Sequence, residues 1–208
     1  PTGCCNILVS PDGERTMATH IGIGSQLHPD ELTEDSIQGI DHIYMESYLW
    51  DHDLTKQTLK KVGKIAKTMN IETSLSLSDP FCVDRHRDEL KEFVEEYVDL
   101  VFCNFDEAKM FAQSETMADI SAFFQSFGKK IAMTASAEGA YYFHGETVAH
   151  QVAQKVEQVI DTTGAGDNFA AGFLDQYLSD KTIDEALAQG NARACEVIQQ
   201  LGPRIKRH

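Results

Sequence analysis

The sequence predicts an α/β fold, a mostly parallel sheet covered by helices on both faces. Short apolar or alternating runs of strand length alternate with longer stretches whose apolar residues recur at helical spacing. No internal repeat or long flexible linker interrupts that alternation, and 208 residues suffice for one good core. With 42% hydrophobic and 25% charged residues the composition is that of a globular protein.

The elements follow in order. CCNILVSPDGERTMATHIG reads as two extended runs around Pro11, Asp12 and Gly13, where the fixed φ of proline and the permissive φ of glycine suit a reversing turn, hence a β-hairpin. After a polar connection, HIYMESYL (42–49) is short, aromatic and partly alternating, as a strand is. HDLTKQTLKKVGKIAKTMN then carries Leu59, Val62, Ala66 and Met69 at helical spacing with lysines between them. IETSLSLS is strand-like, VDRHRDELKEFVEEY sets Leu90, Phe93, Val94 and Tyr97 on one helical face, and DLVFCN is strand-like again. EAKMFAQ and MADISAFFQSFG are expected helices, KIAMTA a strand, and AYYFHG and ETVAHQV two further short strands. KVEQVI is expected as the strand that leads into DTTGAGDNFAAGF. Two helices, AGDNFAAGFLDQYLSD and TIDEALAQGNARACEVIQQLG, close the chain.

The bulk charge narrows the partners. A formal charge of −15 repels phosphate backbones and anionic membranes, so neither nucleic acid nor a membrane is expected. A nucleotide is still compatible, because a helix N-terminus holds a small anion locally through backbone N–H groups. Cys4, Cys5, Cys82, Cys103 and Cys195 form no C-x-x-C and no even framework, which implies reduced thiols and a cytoplasmic location. The eight histidines show no H-E-x-x-H or comparable pair, so no His/Cys metal site is expected. No apolar run is long enough to span a bilayer, and PTGCCNILV lacks the basic n-region of a signal peptide. A first residue of proline rather than methionine is taken to mean that a segment upstream is missing.

The chemistry concentrates in two motifs. In a sheet of this kind ligands gather beyond the C-terminal ends of strands, where loops lead into helix N-termini. The last-but-one helix is expected to begin within residues 164–167, leaving backbone N–H groups of Gly164, Ala165 and Gly166 to face an anion with no side chain in the way. Asp167 would then lie in the first helical turn, where the dipole favours its ionised form and where it could accept the proton of an attacking hydroxyl. Equally, Asp167 could be a helix-start residue and the glycines could serve packing alone, and on these residues both readings stand. A dinucleotide fingerprint fits less well, since G-x-G-x-x-G needs glycine where Phe169 stands and belongs to a first βαβ unit. At the end of DLVFCN, Asn104 and Glu107 are three apart at a helix start and can reach one strand-end region. Hard oxygen donors of this kind suit Mg²⁺ on nucleotide phosphates, directly or through water; a capping box is the other explanation.

Together these residues resemble the ribokinase, or PfkB carbohydrate kinase, family: DTTGAGD matches its signature, and N-x-x-E at Asn104 to Glu107 its second motif. The likeness runs along most of the chain, and ESYLWD, SLSDPFCVDRHR and the hairpin are most similar to the adenosine-kinase-like branch. It implies a three-layer ribokinase-like α/β/α core over residues 26–208, with residues 1–25 as part of a β-lid. It further implies ATP as phosphate donor, Asp167 as catalytic base, an anion hole at Gly164, Ala165 and Gly166, and Mg²⁺ organised through water by Asn104 and Glu107. The family's T-x-G-x-x-G nucleotide turn corresponds to Thr134, Ala135, Ser136, Ala137, Glu138 and Gly139, with Ser136 in place of a glycine. Asn191 matches a position near the adenine, the alternative being an exposed helical amide. Asp161, Thr163 and residues 197–202 correspond to a K⁺ site of some relatives. Arg15 in the hairpin faces either the substrate or solvent.

The family's opening strand, acceptor-binding aspartate and glycine-glycine-asparagine motif have no counterpart here, so the chain is expected to be the C-terminal two thirds of a member. Two functions follow from that. One is the major part of an ATP-dependent kinase for a hydroxymethyl group of a sugar or nucleoside, a small-molecule acceptor, with pairing of two copies through the lid. The other is a noncatalytic nucleotide-binding or interaction remnant.

Overall fold

The computed structural model describes residues 1–11 and 15–206. It contains a two-stranded sheet, β1 (Thr2–Val9) with β2 (Arg15–Gly22), and a six-stranded sheet formed by β3 (His42–Glu46), β4 (Glu72–Ser76), β5 (Leu100–Asn104), β6 (Lys130–Thr134), β7 (Ala140–His144) and β8 (Thr147–Gln151), in that order. The expected hairpin is present. Asp12 and Gly13 of its reversing turn lie outside the described residues.

The helices are α1 (Asp53–Met69), α2 (Pro80–Tyr97), α3 (Phe105–Ala112), α4 (Met117–Phe127), α5 (Ala165–Tyr177) and α6 (Ile183–Val197). Among the described residues no helix is long and apolar enough to cross a membrane. The chain divides into two compact units, one of Pro1–Cys4, His20–Ile131 and Phe143–Glu146, the other of Cys5–Thr19, Ala132–Tyr142 and Thr147–His208.

In the first unit, β3 pairs with β4 and β4 with β5, both parallel, in registers that set His42 opposite Glu72 and Ser74 opposite Leu100. Residues 100–103 of β5 are buried without alternation, as a strand covered on both faces should be. Leu59, Val62 and Ala66 of α1 and Leu90, Phe93 and Val94 of α2 face inward as their spacing predicts. Each of the larger side chains, fully buried, contributes about 1.5–3 kcal/mol.

Two boundaries differ from expectation. β3 stops at Glu46 rather than running to 49, because Ser47–Asp51 turns into a 3₁₀ helix. There the Ser47 hydroxyl donates to the Leu77 carbonyl at 2.6 Å, and Trp50 is fully buried against Phe93 with ring centroids 4.8 Å apart. α2 starts three residues early, at Pro80, because the Asp79 carboxylate caps it by accepting from the Cys82 N–H at 3.0 Å and proline suits the first helical position.

In the second unit α5 lies against α6. A Cβ on Gly172 would stand 2.7 Å from the Gln189 carbonyl oxygen, and one on Gly190 would stand 2.7 Å from the Phe169 ring. This close approach holds α5, and the residues at its start, against the neighbouring helix. Phe169 and Phe173, one turn apart, are buried beneath it. The expected strand KVEQVI is absent: residues 155–160 are irregular. Its β-branched residues imitate a strand, but the N–H groups of Ile160 and Asp161 both go to the Ile198 carbonyl just beyond α6, at 2.8 and 3.3 Å.

Candidate active site

The loop that enters α5 is held by its own side chains. Asp161 is buried, its Oδ1 accepting from the Thr163 N–H at 2.9 Å and hydroxyl at 2.6 Å, its Oδ2 from the Gly202 N–H at 2.9 Å. Burial pushes the Asp161 carboxyl up, but the donors from Thr163 and Gly202, with the charge of Arg15, more than offset it and hold it below the usual range. Arg15 is therefore not merely a solvated hairpin residue: its Nη1 donates to the Thr162 hydroxyl at 2.7 Å.

Gly164 follows at φ 78°, and a Cβ there would meet Pro203 at 2.7 Å, so neither the conformation nor the space admits another residue. Asn168 ties the turn down by donating to the carbonyls of Gly164 at 2.7 Å and Pro203 at 3.0 Å. Gly164 is thus a structural glycine. Gly166 is different: it is helical and exposed, and a Cβ on it would meet nothing within 4 Å. Of the anion hole expected at Gly164, Ala165 and Gly166, Ala165 instead spends its N–H on the Thr162 carbonyl at 3.2 Å, whereas the N–H groups of Gly166 and Asp167 lie in the first turn of α5, where no helical carbonyl precedes them, and no acceptor takes them among the described residues.

Asp167 is exposed. The N-cap of α5 is Gly164, with no side-chain cap bond, so Asp167 does not serve as the cap. Among the described residues its carboxylate takes part in no hydrogen bond or ion pair.

Asn104 and Glu107 form a complete capping box at the start of α3. Asn104 Oδ1 accepts from the Glu107 N–H at 2.8 Å, Glu107 Oε2 accepts from the Asn104 N–H at 2.9 Å, and Asn104 Nδ2 donates to Glu107 Oε1 at 2.7 Å. Glu107 is buried, and burial pushes its carboxyl up to about 7; the bond from the Asn104 backbone opposes this, while the charges of Asp79 and Asp106 add to it. A carboxylate so poorly compensated fits a nearby cation. Both its oxygens already accept protein N–H groups, and among the described residues no group of three or more His, Cys, Asp or Glu could cage a metal. The donor set therefore fits Mg²⁺ bound chiefly by water and phosphate, touching these residues at second hand.

β6 ends at Thr134, and residues 135–139 turn back through a short 3₁₀ segment, Ser136–Glu138. Gly139 has φ 96°, and a Cβ on it would run into the Gln151 carbonyl. Asn191 is buried rather than exposed, and its Nδ2 donates to that same Gln151 carbonyl at 2.8 Å. Thr134, Gly139 and Asn191 thus belong to one neighbourhood of the second unit.

A family model described as pfkB family carbohydrate kinase matches residues 1–207. The chain belongs to the pfkB carbohydrate kinase family. The solved structure of the adenosine kinase from Sinorhizobium meliloti superposes with a TM-score of 0.94 at 38% identity, over 98% of this chain and 63% of that one. A probable sugar kinase protein from Rhizobium etli CFN 42 gives 0.94 at 36% identity, over 98% and 62%. The adenosine kinase of Schizophyllum commune is 27% identical over 99% of this chain and 65% of its own length. The chain therefore spans less than two thirds of the adenosine kinases it matches, and its fold is the ribokinase-like α/β fold.

Against the pfkB nucleotide-turn pattern, Ser136 is the departure, and it carries φ 48°, the left-handed region. A side chain there costs about 1–2 kcal/mol, against which glycine loses about 0.5–1 kcal/mol of unfolded-state entropy. Ser136→Gly is expected to stabilise this pfkB chain by about 0.5–1 kcal/mol, read as a rise in the denaturant midpoint at constant slope. A fall in that midpoint would show that the serine hydroxyl holds the turn.

Residues near the ends of β3 and β4, within ESYLWD and SLSDPFCVDRHR, had no site role assigned from the sequence. Ser78, at φ 62°, is a strained non-glycine residue whose Oγ accepts from the Ser47 N–H at 3.1 Å and whose carbonyl accepts from the Tyr48 hydroxyl at 2.8 Å. Tyr48 and Phe81 are left 43% and 73% exposed, two aromatics beyond the C-terminal ends of adjacent strands in a pfkB sheet. The Asp79-Pro80 pair, a helix start directly after a strand-like run, was the signal that could have found Phe81.

Proposed function

We propose that this chain is the major part of an ATP-dependent kinase that phosphorylates a hydroxymethyl group of a nucleoside or sugar, with Asp167 as the base. The observation that carries the reading is the exposed Asp167 carboxylate, unused by the fold, in the first turn of α5 beside open N–H groups at Gly166 and Asp167. Those N–H groups and the helix dipole suit the equatorial oxygens of a phosphoryl group in transfer. The acceptor oxygen bonds the γ-phosphorus as the bond to the β–γ bridging oxygen breaks and the hydroxyl proton passes to Asp167, leaving ADP and a phosphate ester. Thr134, Ser136, Glu138, Gly139 and Asn191 are assigned to the nucleotide, and Asn104 and Glu107 hold Mg²⁺ through water. When bound, Mg²⁺ neutralises charge on the phosphates.

The same proposal assigns residues 1–25 to a partial lid and 26–208 to the core. Exposed Leu8 and Met17 on the two-stranded hairpin suit pairing with a second copy. A K⁺ site would draw on backbone carbonyls around Asp161, Thr163 and residues 197–202, and five free thiols suit a reducing cytoplasm. The matched relatives, named as kinases, do not favour a noncatalytic remnant.

The likeness to an adenosine kinase at 38% identity favours a nucleoside over a simple sugar as the acceptor. In protein carrying the full length of its relatives, a panel of nucleosides and hexoses with MgATP tests this. Preference for a nucleoside is expected. Phosphorylation of hexoses only would overturn the nucleoside assignment, and phosphorylation of nothing would overturn the kinase.

A further inference from the structure

Two adjacent residues of β8 hold the 134–139 turn from outside. The Glu138 carbonyl accepts from His150 Nε2 at 2.8 Å, and because a carbonyl only accepts, the proton sits on Nε2. The His150 ring lies face to face on Tyr141, centroids 4.1 Å apart and planes 14° from parallel. The Tyr141 hydroxyl in turn donates to Glu138 Oε2 at 3.4 Å. One residue on, the Gln151 carbonyl takes the Asn191 amide and closes over Gly139. His150 and Gln151 therefore link the turn to α6.

The turn needs such support. Ser136 sits at φ 48°, and inside the turn three backbone bonds oppose its release: Ala135 N–H to the Gly139 carbonyl at 2.7 Å, Glu138 N–H to Ala135 at 3.0 Å, and Gly139 N–H to Ser136 at 3.1 Å. His150 itself is exposed, lies outside every motif, and spends its N–H on this one carbonyl.

We propose that His150, backed by Tyr141, is a positioning residue for the nucleotide, clamping the Glu138 carbonyl so that the strained 134–139 turn keeps its binding conformation. This rests on the kinase reading for the turn's ligand; the clamp itself rests on geometry alone. A clamp acts on affinity by fixing beforehand what the ligand would otherwise have to order.

Two measurements on the chain as it stands separate clamp from reading: amide hydrogen exchange at Glu138 and Gly139 without ligand, and calorimetric MgATP affinity. In His150→Ala, exchange at those two amides is expected to quicken by about fivefold, with α6 amides unchanged, and MgATP to bind about fivefold more weakly, the size of one net hydrogen bond. His150→Gln, which keeps an N–H donor, is expected to stay nearer wild type, and adding Ser136→Gly to His150→Ala to recover most of the loss. Unaltered exchange in His150→Ala overturns the clamp. Quickened exchange with unaltered MgATP affinity overturns its role for the nucleotide. A wild-type chain that binds no MgATP overturns the reading of the turn and that role with it, while the exchange data still decide the clamp.

Discussion

Asp167→Asn is expected to lower kcat by about a hundred- to ten-thousandfold in protein of full family length, the range for loss of a general base, with little change in the affinity for MgATP. The amide matches the carboxylate in shape but takes no proton from an attacking hydroxyl. Binding is expected to survive because the anion cradle proposed at the start of α5 is backbone. Folding survives because the side chain is exposed and caps nothing; the lost dipole interaction is worth about 0.3–1 kcal/mol. The comparison that matters is kcat against Tm. A fall in both to the same degree, or a kcat within a few fold of wild type, would return Asp167 to the role of a helix-start residue.

Glu107→Gln should split stability from function. The Glu107 carboxyl titrates at about 7 in the folded chain against an ordinary 4.5. Between those values the folded state binds a proton that the unfolded state does not, so the contribution is full below 4.5 and is lost as pH rises through 7. The difference corresponds to on the order of 3 kcal/mol. Glutamine carries no such titration. The stability of wild type relative to Glu107→Gln, from denaturant midpoints, is therefore expected to fall from pH 5 to 8 and level off above. His42, whose pKa burial lowers against the pull of Glu72 and Asp99, contributes in the opposite sense: its share is full above 6.5 and is lost as pH falls below that toward its lowered folded value. Being common to both proteins, it cancels. MgATP should flatten the wild-type curve if its cation compensates Glu107. Parallel curves for the two proteins would contradict the raised pKa.

What could be read from the sequence depended on whether the signal was local. α1 and α2 have sustained apolar spacing, and Leu59, Val62, Leu90 and Phe93 are buried as that spacing requires. The position of Asp167 in a first helical turn followed from the glycines before it. KVEQVI misled because valine and isoleucine suit a strand wherever they stand, whereas the acceptor for Ile160 and Asp161 is a carbonyl 37 or more residues away in sequence, at Ile198. Asn191 could be read as an exposed amide for the same reason, its partner Gln151 lying on another element. The exposure of Tyr48 and Phe81 depends on a 3₁₀ turn set by Ser47 and on the Asp79 cap, and neither is visible in hydrophobic period. For Asn104 and Glu107 the structure shows the capping box, whose partners are three residues apart and so legible in sequence, while the Mg²⁺ role is a proposal.

Phosphoryl transfer to an acceptor hydroxyl is measured as ADP formation from MgATP with and without a nucleoside in protein of full family length. ADP is expected to depend on the nucleoside and to equal the phosphate ester formed, one for one. ATP bound with no ester produced, or ADP formed equally without acceptor, would contradict it.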